Sequence, residues 1–196
     1  MTVFHLIRHA SYDLLGRVLA GRTAGHALNA AGRAEAARLA ETLAARPLAA
    51  VVASPLQRAR ETAAIIAAPH RLEVLDVPGL NEIDFGDWTG MAFETLHALP
   101  AWIAFNAFRA TAPIPGGETM LAAQARAVAA LSALAARFPD AEVAAVSHGD
   151  VVKALVAHAV GAPLDLFHRI EIEPASRSVI ALGPRAIRVL GVNLPV

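Results

Sequence analysis

Three times along this chain of 196 residues, a short apolar run ends abruptly in a polar or charged cluster and gives way to a helical pattern. Val3-Phe4-His5-Leu6-Ile7 runs into Arg8-His9, and Val51-Val52-Ala53 runs into Ser54-Pro55-Leu56-Gln57-Arg58. Val143-Ala144-Ala145-Val146 runs into Ser147-His148-Gly149-Asp150. Apolar runs this short, rich in β-branched residues, read as buried strands. Charged residues at a strand end are costly in a core. They are useful at the carboxyl edge of a sheet, where open α/β folds place their ligands. If the three strands are parallel neighbours, Arg8, His9, Arg58 and His148 meet at one edge. Two guanidiniums and two imidazoles in one pocket suit a phosphoryl group.

The rest of the chain fits around these strands. Asn29 reads as the N-cap of a helix over residues 30–45, ended by Pro47. Ser54 is expected to cap the next helix, with Pro55 at its first position and an end near residue 68. A third strand is predicted over residues 72–77. Residues 79–117 read as an insertion over the sheet edge, with an acidic turn-rich stretch followed by helix broken at Pro100. A long helix over 118–138, a strand over 142–146 and a helix over 150–160 follow. The tail is expected to hold two or three strands, over 168–173, 178–182 and 186–192. Gly183-Pro184 makes a hairpin turn between the last two.

This order predicts an α/β fold: a mostly parallel open sheet with helices on both faces, an antiparallel hairpin near the C-terminus and a helical insertion over the active-site edge. No linker or repeat divides the chain, so residues 1–196 are expected to form a single domain.

Lys and Arg together number 17, balanced by 17 Asp and Glu. That balance offers no footprint for nucleic acid and no polybasic patch for a membrane surface. With no cysteine, a thiolate nucleophile and a disulfide framework are excluded. The N-terminus enters the first strand at once, without the regions of a signal peptide. The apolar stretches fall short of a membrane span. A cytoplasmic protein, monomer or homodimer, is the expectation.

Leu6-Ile7-Arg8-His9, Ser54-Pro55-Leu56-Gln57-Arg58-Ala59-Arg60-Glu61-Thr62 and Ser147-His148-Gly149 together resemble the histidine phosphatase superfamily, with its phosphoglycerate-mutase-like fold. The resemblance spans nearly the whole chain and keeps the family's order. It implies that His9 is a nucleophile forming a phosphohistidine and that His148 is its electrostatic partner. Arg8 and Arg58 would bind the phosphate. Glu82, in Asn81-Glu82-Ile83-Asp84-Phe85-Gly86, would be the general acid and then the base. Asp84 and Asp87 are rivals within the same loop. Gly149 would let backbone approach the phosphate. No metal and no cofactor is implied.

The chain departs from the family after the first Arg-His pair. Ala10 stands where the family has glycine, Tyr12 where it has Thr or Ser, and Leu15 where it has a phosphate-binding Asn. Arg22 and Thr23, or Arg17, are expected to fill the space. His5 reads as structural, Arg60 as a solvated or salt-bridged helix residue, and His26, His70, His97, His158 and His168 receive no role.

The expected activity is metal-independent hydrolysis of a small-molecule phosphate ester through a phosphohistidine on His9. A phosphoglycerate-mutase-type phosphotransferase is disfavoured, because Arg109 is the only basic residue between Leu80 and Gly117. A phosphohistidine protein phosphatase is disfavoured by the length of the insertion. A catalytically silent phosphate-binding domain is the remaining alternative.

Overall fold

The structure, a computed structural model, describes residues 1–195. Its helices in chain order are α1 (Ala30–Leu43), α2 (Gln57–Ala67), α3 (Phe93–His97), α4 (Pro100–Ala107), α5 (Met120–Arg137) and α6 (Gly149–Val160). Its strands are β1 (Thr2–Arg8), β2 (Leu48–Ala53), β3 (Val74–Asp76), β4 (Glu142–Ser147), β5 (Arg177–Gly183) and β6 (Ala186–Leu194).

The six strands form one sheet in the order β3-β2-β4-β1-β5-β6. The first four are parallel, while β5 runs antiparallel to β1 and β6 antiparallel to β5. The chain leaves β1, winds outward to β3, then returns to fill the gap with β4. That return places β4 between β1 and β2, with Arg8 opposite Ser147 and Ala53 opposite Val146. The three polar strand ends therefore lie side by side.

Strand alternation divides the core in two. Ile7, Val51, Ala53, Ala144 and Val146 face α1 and α2, packing on Leu39, Leu43, Ala63 and Ile66. Phe4, Leu6, Val52, Val143 and Ala145 face α5 and α6, packing with Ala127, Leu131, Val152 and Leu155. Each fully buried Leu, Ile, Val or Phe contributes on the order of 2 kcal/mol.

Local signals set several boundaries. Asn29 Oδ1 accepts the Gly32 N–H at 2.8 Å, and Thr119 Oγ1 accepts the Ala122 N–H at 3.1 Å. At Gly32 a β-carbon would stand 2.0 Å from the Ser11 carbonyl oxygen. Only glycine lets the first turn of α1 pack so closely on the loop that follows His9. Pro100 opens α4 rather than merely breaking a helix, as its fixed φ favours. Trp88, Trp102 and Phe105 pack together beneath it, the two indoles 5.3 Å apart.

Three expectations are corrected. α2 begins at Gln57, and its N-cap Leu56 makes no side-chain cap; the Ser54 hydroxyl is turned instead towards His148 and Asn81. The third strand is shorter, Val74–Asp76. The strand expected over 168–173 does not form. Residues Leu164–Arg169 make a 3-10 turn, and beyond it the Ile172 carbonyl is taken by the Arg8 guanidinium at 2.6 Å rather than by a sheet neighbour.

Candidate active site

His9 follows β1 and is 3% exposed. Its backbone N–H bonds the Ser147 carbonyl at 2.9 Å, locking it to the end of β4. Its Nδ1 lies 2.9 Å from the Ala10 carbonyl oxygen, which can only accept, so Nδ1 carries the hydrogen. The other nitrogen, Nε2, is therefore bare. Arg58 Nε donates to it at 3.3 Å.

Arg58 comes from the first turn of α2 and is 2% exposed. Its Nη2 reaches the Gly21 carbonyl at 2.8 Å and His148 Nδ1 at 3.3 Å. The two imidazole rings stand 5.2 Å apart in an edge arrangement. Arg8 Nε is buried without a hydrogen-bond partner, an open donor on the same edge. A β-carbon on Gly149 would lie 3.2 Å from that atom, so glycine there makes room for the Arg8 guanidinium.

Burial shapes every titration here. It pushes His9 down to about 3, aided by the Arg58 charge and opposed by the Ala10 carbonyl. Burial, then His9 and Arg58, hold His148 well below its ordinary value. Burial therefore favours the neutral form of both imidazoles. Glu82 moves the other way, up to about 7, through burial first and the Asp150 carboxylate second. The Arg58 charge and the Ile83 N–H, which Glu82 Oε1 accepts at 2.9 Å, limit that rise. Glu82 Oε2 lies 3.7 Å from His148 Nδ1.

The His9 shift has a consequence for stability. Its folded pKa is depressed, so between about 3 and 6.5 the unfolded chain binds more protons than the native one. Stability then falls as pH drops through that window. At pH 4 His9 alone is expected to have removed roughly 3 kcal/mol. Urea denaturation at pH 7 and pH 4, in phosphate-free buffer, tests this. The loss on acidification should be smaller in His9→Gln by about that amount, and an equal loss in both proteins would refute it.

The predicted residues divide. Arg8, His9, Arg58 and His148 converge as anticipated, and Glu82 joins them. Of the two rivals, Asp84 bonds the Gly86 N–H at 3.1 Å and Asp87 is exposed beside Gly116. Arg22 is placed elsewhere. Its Nε donates to the Glu82 carbonyl at 2.8 Å and its Nη2 to Glu118 at 2.7 Å. With Arg126, which reaches the same carbonyl at 3.0 Å, it braces the backbone of the Glu82 loop. Thr23 and Arg17 are exposed. The positive φ of Gly21 turns its carbonyl inward to Arg58, while Glu118 offers Arg22 a carboxylate partner.

A cavity of about 290 Å³ opens beside this cluster, with Arg8, Glu82 and Gly149 in its lining. Tyr12, Leu15, Val18, Phe93 and Trp102 form its apolar side, so the first-loop departures become wall. Tyr12 packs its ring edge-on to His9 at 5.5 Å, and the Arg58 guanidinium lies 5.3 Å from its ring centre. Arg109 also lines it, 3% exposed, stacked between Phe105 and Phe167 and paired with Asp150 at 3.1 Å. Sequence reasoning gave Arg109, Asp150 and Tyr12 no place in the site. The one signal for Arg109 was its isolation as the sole cation of an aromatic insertion.

The sheet order is that of an open α/β protein with two histidines and two arginines gathered at one edge. The chain belongs to the histidine phosphatase superfamily: the family model "Histidine phosphatase superfamily (branch 1)" matches residues 4–195. The solved structure of Bacillus stearothermophilus YhfR superposes with a TM-score of 0.94 at 27% identity, covering 100% of this chain and 98% of that one. Phosphoserine phosphatase 1 of Hydrogenobacter thermophilus is 30% identical over 174 residues, 85% of this chain and 80% of that protein. The bifunctional protein Rv2228c of Mycobacterium tuberculosis is 31% identical over 194 residues, 94% of this chain. The match spans about half of the length of the curated relative Rv2228c, 52%, and an 81-residue match with Rv0525 spans 41% of this chain and 40% of that protein. Among the described residues no helix is long and apolar enough to cross a membrane.

Proposed function

We propose that this protein is a phosphomonoesterase that hydrolyses a small-molecule phosphate ester through a phosphohistidine on His9, within a single domain. The observation that carries the reading is the bare Nε2 of a neutral, buried His9 whose other nitrogen is tied to the Ala10 carbonyl. A neutral imidazole held in one tautomer and one orientation is a ready nucleophile.

In the first step His9 Nε2 bonds to phosphorus as the ester P–O bond breaks. The Glu82 carboxyl gives its proton to the departing alkoxide. In the second step water attacks phosphorus, Glu82 takes the water's proton, and the N–P bond breaks to release phosphate. Arg8, Arg58 and an induced imidazolium at His148 offset the charge on the non-bridging oxygens. The cavity's size and its mixed wall favour a small ester with an apolar portion.

The direct test is hydrolysis of p-nitrophenyl phosphate and a panel of metabolite phosphate esters with EDTA present. Activity abolished by the chelator would overturn the mechanism. The Glu82 value adds a second expectation. The acid form is required in the first step, so the rate with a poor leaving group should fall as pH rises through about 7. Glu82→Gln should lose that limb and turn over about 10²-fold or more slowly. An unchanged alkaline limb in the variant would reassign the acid.

A further inference from the structure

Ser54 stands just past β2, fully buried, with its hydroxyl 2.8 Å from His148 Nε2 and 3.2 Å from Asn81 Oδ1. The directions of these bonds follow from the partners. Asn81 Oδ1 accepts the backbone N–H of Glu82 at 2.9 Å, which assigns the amide oxygen to that side. An oxygen facing a hydroxyl obliges the hydroxyl to donate. With its single hydrogen given to Asn81, the Ser54 oxygen accepts from His148, so His148 Nε2 bears a hydrogen.

The opposite side of the ring leads independently to the same assignment. Arg58 Nη2 lies 3.3 Å from His148 Nδ1, and a guanidinium only donates. Nδ1 is therefore bare, and it also faces Glu82 Oε2 at 3.7 Å. His9 and His148 thus hold opposite tautomers, with both bare nitrogens turned to Arg58.

We propose that Ser54, aimed by Asn81, is a positioning residue that fixes His148 in the Nε2–H form, so that the proton gained on substrate arrival lands on Nδ1, the nitrogen beside Arg58. The inference rests on the phosphatase reading for its purpose but not for its geometry. The incoming dianion draws one proton from solvent onto Nδ1; the hydrogen bond that Nδ1 accepted from Arg58 Nη2 breaks, and that guanidinium N–H turns to the dianion, with no other bond changed. The Nδ1–H then donates to a phosphoryl oxygen while Ser54 supports the far end of the imidazolium. Asn81 couples the arrangement to the Glu82 loop, since one amide oxygen holds both the Ser54 hydroxyl and the Glu82 N–H.

Nitrogen NMR of protein labelled at histidine tests this, with His148 identified by loss of its signals in His148→Gln. In phosphate-free buffer at pH 7.5, wild-type His148 should show a protonated Nε2 and a bare Nδ1. A protonated Nδ1 would overturn the proposal. In the complex with inorganic phosphate, Ser54→Ala should shift the His148 titration to lower pH by about one unit, since a hydrogen bond to a charged group is lost. It should lower kcat about tenfold with KM within about threefold. An unmoved titration with unchanged kcat would remove Ser54 from the mechanism. The tautomer is read without turnover. A protein that hydrolyses no ester yet shows Nε2–H would sink only the phosphatase reading. An active enzyme with Nδ1–H would sink only this one.

Discussion

His9→Ala is expected to lower kcat/KM for any accepted phosphate ester by a factor on the order of 10⁴ or more, with the fold intact. The size follows from what is removed. Alanine leaves no atom to form the N–P bond, and direct attack by water must proceed without a positioned nucleophile. The surrounding charge remains, so binding should survive. The variant should still be stabilised against heat by inorganic phosphate. Wild-type enzyme quenched in acid-free denaturant after mixing with a labelled ester should carry label that is stable in base and released in acid, the signature of a phosphoramidate. Label missing from wild type during active turnover would show that water attacks directly. Full activity in the variant would move the nucleophile elsewhere. Phosphate binding without turnover in either protein would favour the silent binding domain.

Arg58→Lys is expected to cost on the order of 10³ in kcat/KM, although charge is conserved. Arg58 reaches His9 Nε2, His148 Nδ1 and the Gly21 carbonyl from one planar fork. An ammonium is a single point charge and cannot hold those three directions at once. None of the three partners is a carboxylate, so the buried guanidinium reaches its full complement of charge only with an anion in the pocket. Inorganic phosphate should therefore raise the melting temperature of the wild type clearly and that of Arg58→Lys much less. Equal stabilisation of the two proteins would show that Arg58 serves structure and not the ligand. Arg109→Lys provides the contrast: Arg109 already has Asp150 as its partner at 3.1 Å, so the phosphate-induced shift should persist.

Much of this was legible in the chain before folding. The strand runs could be read because burial on both faces of a parallel sheet demands unbroken apolar residues, and the polar stops after Ile7, Ala53 and Val146 marked one edge. The helix starting after Asn29 was legible because its cap is local, a side chain three residues from the N–H it accepts. The Ser54 cap was misjudged for a physical reason. A serine before a proline looks local, but its hydroxyl found a better partner 94 residues away, at His148. The lost strand near residue 170 has the same cause. A single long-range donor, Arg8, claimed the Ile172 carbonyl.

The sequence by itself determined which groups meet: two histidines, two arginines and a carboxylate, carried by strand ends and one loop. Periodicity and short motifs are local, and they survive in one dimension. Only the tertiary structure decided how those groups are charged and aimed. Burial sets His9 near 3 and Glu82 near 7, and desolvation is a property of what the rest of the chain excludes. The tautomers of His9 and His148 depend on the Ala10 carbonyl, Arg58 and Ser54 taking up particular directions. Arg22 was diverted to the Glu82 loop by Glu118, 96 residues away, and Arg109 was drawn to the cavity by Asp150 and two phenylalanine faces. Such pairings join residues distant in sequence, and no local pattern encodes them.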